Sequence, residues 1–437
     1  MTPTHVYKGV AVPSLDRSAL FDVVVADGVF ARIEATDRPR NGGETELWPG
    51  YTEAHAHFAL PCNWDDSLDS PRITALQYLY HGVTHVVDKF GFPVVAAEWE
   101  AGKAESPWPY PEVVHCGYAV TATTDGAGRN GHGVEFPAPV YMLAVESDLE
   151  IALHANAERG ATFLKAMFTD GTEQPGSPVR FSRLSERILR CCARIARERG
   201  IPAVIDCNTL EETRFAYECG FRLFAHSVRD TELTDAEWKE FDEARFVSTL
   251  AGLRPMIMTG EEFAAEYGRE GFAETQDPYN REFVKRIEHP YGIEYGVQET
   301  RTAALTDMRR NALAALDRGR LLIGTDSGNL GAYHGYSFLS ELELLRGEDR
   351  SPDLAFRIRE QATVGGRRYF DELAGRPSPE HPIGVGQPAT FNLVDPALPL
   401  SALPEATVVQ GTPIDREAVA AAIAALRATD TKGKVLL

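Results

Sequence analysis

The chain has 437 residues, 43% of them hydrophobic and 25% charged, which is enough to bury a large core. A formal net charge of −20 argues against nucleic acid and against anionic membrane surfaces as partners. No secretory signal or membrane-spanning apolar run is visible, and the six cysteines show no regular spacing. We therefore expect a cytoplasmic protein with reduced thiols and a small-molecule substrate.

Short strands occupy both ends of the chain. The segments VYKGVAV, FDVVVADG and VFARIEA are typical of β-strands, and Asp27 and Gly28 form a turn signal between the last two. Short-strand character returns in residues 384–396 and 406–414. The simplest arrangement is a small β-sandwich domain that combines residues 1–48 with residues 385–437.

Between these ends, residues 49–384 alternate apolar strands with amphipathic helices. The predicted strands are 51–58, 83–90, 112–120, 162–168, 202–208, 221–227, 245–251 and 321–327. The clearest predicted helices are 182–200, 210–220 and 302–319. Eight strands separated by helices predict an α/β protein with a (β/α)8 TIM barrel. A doubly wound open sheet is the alternative, but no glycine-rich dinucleotide turn follows any strand.

Two insertions interrupt the barrel pattern. Residues 121–138 are rich in Gly and Thr and follow the third strand, and residues 252–301 follow the seventh and carry many acidic and aromatic residues. Because barrel active sites are built from the loops after the strands, both are candidate lids or specificity loops. A surface loop or a contact between subunits is an equally good interpretation of both insertions.

Polar residues gather at the predicted strand ends. His55 and His57 lie one residue apart on the first strand, so their side chains point to the same side and can hold one metal ion. Lys165 lies among apolar residues on the fourth strand, where an ammonium is paired, neutral or modified. His226 ends the sixth strand and Asp326 the eighth. Taken singly, Lys165 could be an ion-pair partner, His226 a core histidine and Asp326 a helix N-cap.

The order of these groups resembles the amidohydrolase superfamily, and most closely its imidazolonepropionase-like and Xaa-Pro dipeptidase-like branches. The resemblance covers essentially the whole chain. It includes Pro-Gly before His-x-His (49–57), Gly-Val-Thr at the second strand (82–84), His-Gly-x5-Glu after the eighth (334–341) and the closing run 384–395.

The resemblance implies two metal ions, typically Zn²⁺, at the mouth of the barrel. His55, His57 and Asp326 would hold the more buried ion and His226 the outer one. Lys165 would react with CO₂ to form a carbamate that bridges both ions. Asp326 would accept a proton from the activated water and deliver it to the leaving nitrogen, so Asp326 and Lys165 are the candidate catalytic residues.

The fifth strand departs from the family pattern, because Asp206 stands where a metal-binding histidine is expected. Asp206 could bind the outer ion itself and favour a harder ion such as Mn²⁺ or Fe²⁺. Alternatively, the outer ion is lost and one ion remains, or the whole site is degenerate. We expect a functional site, since every other motif position is intact.

The resulting hypothesis is a metal-dependent amidohydrolase that cleaves an amide-like C–N bond, other than a general peptide bond, in a small molecule. The substrate would be a cyclic amide, an N-acyl amino acid or a dipeptide, with His132 and His334 as candidate binding residues. A non-hydrolytic lyase, decarboxylase or cyclase on the same scaffold is the alternative, and a binding protein with a vestigial site is a third. A homo-oligomer is expected.

Overall fold

Strands from both ends of the chain form one seven-stranded sheet. The computed structural model describes residues 4–58, 60, 62–63, 67–91, 93–123, 140–170, 181–286 and 295–429. The sheet consists of β1 (His5–Val12), β2 (Asp16–Ala26), β3 (Val29–Pro39), β4 (Glu46–Pro49), β15 (Phe391–Val394), β16 (Ala406–Val409) and β17 (Thr412–Pro413). Its order is β17-β16-β15-β4-β1-β2-β3, and β15 runs antiparallel to β4. The predicted β domain made from both termini is therefore confirmed, whereas its boundaries at residues 48 and 385 stay predictions.

The turn between β2 and β3 has the expected chemistry. Asp27 and Gly28 both have positive φ, at 50° and 82°, which the tightest hairpin turns require at both central positions. Apolar side chains from the two ends of the chain, such as Val23, Phe30 and Phe391, then meet in a core of their own. This core holds the start of the barrel in place, because β4 lies one residue before the next strand.

Eight parallel strand positions form the predicted TIM barrel. Its strands are β5 (Tyr51–Ala56), β6 (Val83–Asp88), β7 (Glu112–His115) with its continuation β8 (Ala119–Ala122), β10 (Leu164–Met167), β11 (Ala203–Asp206), β12 (Leu223–Phe224), β13 (Arg245–Val247) and β14 (Leu321–Leu322). Neighbouring strands pair in parallel. An additional strand, β9 (Val140–Leu143), pairs with β8.

Backbone hydrogen bonds outside the named ladders help to close the barrel. Thr162 N–H donates to the His115 carbonyl at 3.0 Å and joins the third strand position to the fourth. Ala54 N–H donates to the Ile323 carbonyl at 3.0 Å and joins the first to the eighth. Closure at this second seam brings the ends of β5 and β14 side by side.

Helices surround the barrel. They are α1 (Pro71–Tyr80), α2 (Pro93–Glu105), α3 (Glu146–Glu158), α4 (Glu186–Arg199), α5 (Leu210–Cys219), α6 (Asp235–Glu240), α7 (Leu250–Leu253), α8 (Gly260–Glu266), α9 (Phe272–Thr275), α10 (Pro278–Val284), α11 (Tyr295–Asp317), α12 (Tyr336–Arg346), α13 (Pro352–Glu360), α14 (Gly366–Leu373) and α15 (Arg416–Thr429). Within the described ranges, none of them has the length and apolarity that crossing a membrane requires.

Local sequence signals set the bounds of these helices. α5 begins with a capping box, in which Thr209 and Glu212 each bond the other's backbone N–H, and ends at Gly220 in the left-handed region. The three predicted helices are confirmed as α4, α5 and α11. The six cysteines are free and buried.

The second insertion folds as a packed helical segment. Within residues 252–286, Phe263, Tyr267 and Phe272 form a small core with Tyr333 and Tyr336, which come from the segment after β14. The described part of this insertion therefore packs against the segment that follows β14. Residues 124–138 of the first insertion and residues 287–294 of the second lie outside the described residues.

Candidate active site

Two histidines and an aspartate converge at the seam between β5 and β14. The Nε2 atoms of His55 and His57 are 3.0 Å apart. They lie 3.2 Å and 2.9 Å from the same oxygen, Oδ1 of Asp326. His55 is fully buried, His57 is 4% exposed and the Asp326 side chain is 19% exposed. The three residues that the sequence placed on one metal ion are thus within reach of a single point.

The His55 ring presents a free lone pair to this point. Its Nδ1 lies 2.9 Å from the carbonyl oxygen of Ala225, and because a carbonyl can only accept, Nδ1 carries the proton. Burial lowers the pKa of His55 well below its usual value, with further lowering from Lys89 and Lys165, so the ring is neutral. A neutral imidazole anchored in this way through one nitrogen is the usual form of a metal-binding histidine.

The segment after β14, which carries Asp326, packs closely against β5. A Cβ at Gly324 would lie 2.6 Å from His55 N, and one at Gly328 would lie 2.0 Å from His57 O. Asp326 itself has a positive φ of 63°, which few residues other than Gly, Asn and Asp adopt. Although burial opposes it, the His57 hydrogen bond and nearby positive groups lower the pKa of Asp326 and keep it ionised.

Glu53 links β5 to the segment after β14 through hydrogen bonds, next to the candidate site. Its Oε1 accepts hydrogen bonds from His55 N and Thr325 N, both at 2.9 Å. Its Oε2 accepts one from Thr325 Oγ1 at 2.6 Å. Burial raises the pKa of Glu53 to about 8 despite these bonds. The carboxyl group fixes the position of His55 relative to the strand that carries Asp326, and sequence analysis assigned it no role.

Lys165, Asp206 and His226 form the other half of the site. Lys165 and Asp206 lie on neighbouring strands, with Nζ 3.3 Å from Oδ2. Oδ1 of Asp206 lies 3.5 Å from His226 Nε2. His226 also lies near the first group, since ligand atoms of His55, His226 and Asp326 are all within 4.8 Å of one another. The structure therefore brings together all six residues predicted as metal ligands.

A strained threonine orients His226. Thr249 Oγ1 lies 2.8 Å from His226 Nδ1, and Thr249 has a φ of 49°, which is rare for a β-branched residue. The next two backbone N–H groups, of Leu250 and Ala251, donate to the buried carboxylate of Glu341 at 3.1 Å and 2.6 Å. The turn after β13 is thus held by Glu341, a residue of the family-like motif after the eighth strand.

A cavity of about 190 Å³ opens onto these side chains. Its described lining includes His57, Asp206, His226 and Asp326 on the metal-site side. Arg229 lines it as well, and its guanidinium bonds the Asn208 side-chain oxygen. Apolar contributions come from Leu60, Phe90, Phe181, Leu253 and Met256. A small molecule in this cavity would contact the ligand cluster directly.

The two residues predicted to bind substrate have different outcomes. His334 is 3% exposed and lies 3.0 Å from Tyr78 Oη through Nδ1. It is not among the described residues that line the cavity. Burial lowers the pKa of His334 to about 3, so its ring is neutral, and its part in substrate binding stays a prediction. His132 lies outside the described residues.

Lys89 is a second buried amine that sequence analysis passed over. It follows β6 and is fully buried, and its Nζ has no hydrogen-bond partner among the described residues. Burial and the nearby Lys165 lower the pKa of Lys89 well below its usual value. A lysine between apolar strand residues was the signal that identified Lys165, and the same signal was present at Lys89.

No protein-family model and no curated protein matches the chain. Solved structures do match. Bottromycin amidohydrolase superposes with a TM-score of 0.66 and 20% identity, over 97% of this chain and 89% of that chain. Ochratoxinase from A. niger gives 0.65 and 15%, over 94% and 95%. A Xaa-Pro dipeptidase with methionine in its active site gives 0.61 and 14%, over 91% and 95%.

These likenesses extend over nearly the full length of each chain, barrel and β domain together. Identities of 14–20% establish a shared fold and leave the chemistry to the residues themselves. The resemblance inferred from the motifs is thus confirmed at the level of the fold: this chain has the fold of the amidohydrolase superfamily.

Proposed function

We propose that this chain is a metal-dependent amidohydrolase that hydrolyses an amide-like C–N bond of a small molecule. The observation that carries this proposal is the convergence of His55, His57 and Asp326 on one point, with His226 within ligand reach of it. The structures that share this fold include an amidohydrolase and a Xaa-Pro dipeptidase, which supports the same reaction class.

The residues fit a divalent cation. Two imidazole nitrogens 3.0 Å apart both face one carboxylate oxygen, and imidazole with carboxylate is a donor set that suits Zn²⁺, Mn²⁺ or Fe²⁺. His57 Nδ1 is buried with no hydrogen-bond partner among the described residues. A cation between these donors would relieve the contact between the two rings, so His55, His57 and Asp326 would hold it.

The bound ion would act as a Lewis acid on the amide carbonyl and would make a water molecule acidic enough to react near neutral pH. Asp326 is placed to accept that water's proton, because its carboxylate is ionised and it lines the cavity. The same carboxyl group can then give the proton to the leaving nitrogen. Closure of the barrel behind His55 excludes solvent from the far side of the reacting bond.

Arg229 favours a substrate with a carboxylate. Most neighbouring arginines are paired with acids, as Arg183 is with Asp170 and Glu212. In the described part of the chain Arg229 has no acidic partner, and its Nε has no hydrogen-bond partner. A guanidinium at the wall of the cavity binds a carboxylate through two parallel hydrogen bonds. Among the candidate substrates, N-acyl amino acids and dipeptides carry that group.

The test is turnover of N-acyl amino acids and dipeptides, compared with the same compounds as methyl esters. We expect activity that chelation removes and a divalent ion restores, incorporation of ¹⁸O from labelled water, and a loss of at least about 100-fold in Asp326→Asn. Arg229→Met should lower kcat/KM about 10- to 100-fold for the free acids and leave the esters unaffected.

Three outcomes would count against this function. Turnover that survives both metal removal and Asp326→Asn would refute the metal-dependent reaction. Product formed without ¹⁸O would favour the lyase, decarboxylase or cyclase alternative, which the substitution at Asp206 motivates. Equal loss for acids and esters in Arg229→Met would refute the carboxylate anchor. Cytoplasmic location and homo-oligomer formation remain part of the proposal.

A further inference from the structure

Asp206 meets Lys165 across two neighbouring strands. In the parallel pair β10–β11, Lys165 is in register with Val204 and Met167 with Asp206. The two side chains therefore project from the same face two residues apart, and Nζ reaches Oδ2 at 3.3 Å. The Lys165 side chain is fully buried and that of Asp206 is 7% exposed. The pair is a buried ion pair inside the barrel.

Resting on the proposed function, we infer that this ion pair replaces the outer metal ion, so that the site holds one metal ion and Lys165 remains an unmodified amine. In this arrangement Asp206 is the counter-ion of Lys165 rather than a metal ligand. The family-like two-metal site with a carbamate on Lys165 therefore does not fit this chain.

The Lys165 and Asp206 side chains leave little space between them. A carbamate would add a carboxylate group to Nζ, and an ion held by that group and by Asp206 would need room between the two side chains. Nζ and Oδ2 lie 3.3 Å from each other. At this distance there is no room for the added groups, so the two side chains would have to move apart from their positions on a regular four-residue ladder.

The charges of Lys165 and Asp206 also oppose a carbamate. The Lys165 ammonium and the Asp206 carboxylate balance each other's charge at 3.3 Å. A carbamate would also place a second anion beside the buried Asp206, which is costly without a cation between the two. A histidine at position 206 would create neither obstacle. The single substitution on the fifth strand thus removes an outer imidazole ligand and opposes formation of the bridge.

His226 completes this arrangement. Its Nε2 lies 3.5 Å from Asp206 Oδ1, and Thr249 Oγ1 fixes the other ring nitrogen at 2.8 Å. His226 also lies within ligand reach of His55 and Asp326. Without an outer ion to bind, His226 is free to contact the single metal ion or the water beside it.

The experiment measures metal content and lysine modification in the full-length protein purified without chelators from cultures supplemented with Zn²⁺ or Mn²⁺. We expect about one equivalent of metal per chain by mass spectrometry. After incubation with ¹³C-bicarbonate, we expect no carbamate signal in the ¹³C spectrum. Lys165→Met should keep its one equivalent, whereas the matched ligand variant His57→Asn should lose it.

Two equivalents of metal, or a carbamate signal that disappears in Lys165→Met, would overturn the inference and leave the proposed function standing. No bound metal after supplementation would refute the proposed function and the inference with it. If Lys165→Met does not fold, as judged by circular dichroism, the metal count and the ¹³C spectrum of the unmodified protein decide the question alone.

Discussion

Removing one member of the Lys165–Asp206 pair should destabilise the metal-free protein more than removing both. At 3.3 Å, two unit charges attract each other by about 5 kcal/mol with an effective dielectric constant near 20. Losing one partner leaves the other charge buried, which typically costs about 3–5 kcal/mol. We therefore expect about 3 kcal/mol for Lys165→Met.

The double variant Lys165→Met/Asp206→Leu replaces the pair with apolar side chains of similar volume. Such replacements are often neutral or stabilising, so its free energy of unfolding should lie within about 2 kcal/mol of the unmodified protein. The two single substitutions should then be non-additive by at least about 2 kcal/mol. The assay is urea unfolding of all four proteins in the presence of a chelator.

A matched control is the exposed pair Arg194–Glu198, whose atoms lie 2.9 Å apart on one helix with both side chains about half exposed. The same cycle there should give a coupling of only about 0.3–0.5 kcal/mol. Additivity at Lys165 and Asp206 within about 0.5 kcal/mol would show that the two charges are not paired. In that case the Lys165–Asp206 pair would not oppose the binding of a second metal ion.

Three further predictions concern other residues. Thr249→Val should lower metal affinity or kcat about 10- to 100-fold, measured by metal titration and turnover, because His226 loses its orienting hydroxyl; Thr249→Ser should retain both. Gly252→Ala should cost about 1–3 kcal/mol of stability and displace Asp326, whose Cβ would lie 2.9 Å from the new methyl group; an unchanged melting curve would contradict this. Burial lowers the pKa of His81 to about 3, whereas a histidine in the unfolded chain has a pKa of about 6.5. As the pH falls below about 6.5, only the unfolded chain takes up this proton, so the free energy of unfolding decreases. In the presence of a chelator, His81→Gln should reduce the slope of the unfolding free energy between pH 6.5 and 5 by about 1 kcal/mol per pH unit on average; an unchanged slope would refute the assignment.

Much of the fold follows from local patterns. The alternation of apolar strands and amphipathic helices predicted the barrel and a helix over 210–220, and the capping box at Thr209 with Gly220 sets the bounds of that helix, α5. The convergence of the candidate metal ligands was also predictable. His55 and His57 share a face because strand side chains alternate, and the ends of parallel barrel strands meet at one mouth.

The remaining features depend on contacts between distant parts of the chain. Glu53 fastens β5 to β14 through Thr325, 272 residues away, and no local pattern marks such a partner. The second insertion is a candidate lid or specificity loop by its position, and only the folded structure shows that its described part packs as helices against Tyr333 and Tyr336. Lys89 carried a visible signal, but only the closed barrel shows that its amine is buried close enough to lower the pKa of His55.

The sequence by itself determined the architecture, the cluster of His55, His57, His226 and Asp326, and the departure at position 206. It left open whether Asp206 binds the outer metal ion or that ion is lost, because no local pattern shows which side chain Asp206 meets. Only the tertiary structure shows the β10–β11 register, which places the carboxylate 3.3 Å from the Lys165 amine. In a buried site two opposite charges at that distance form a pair.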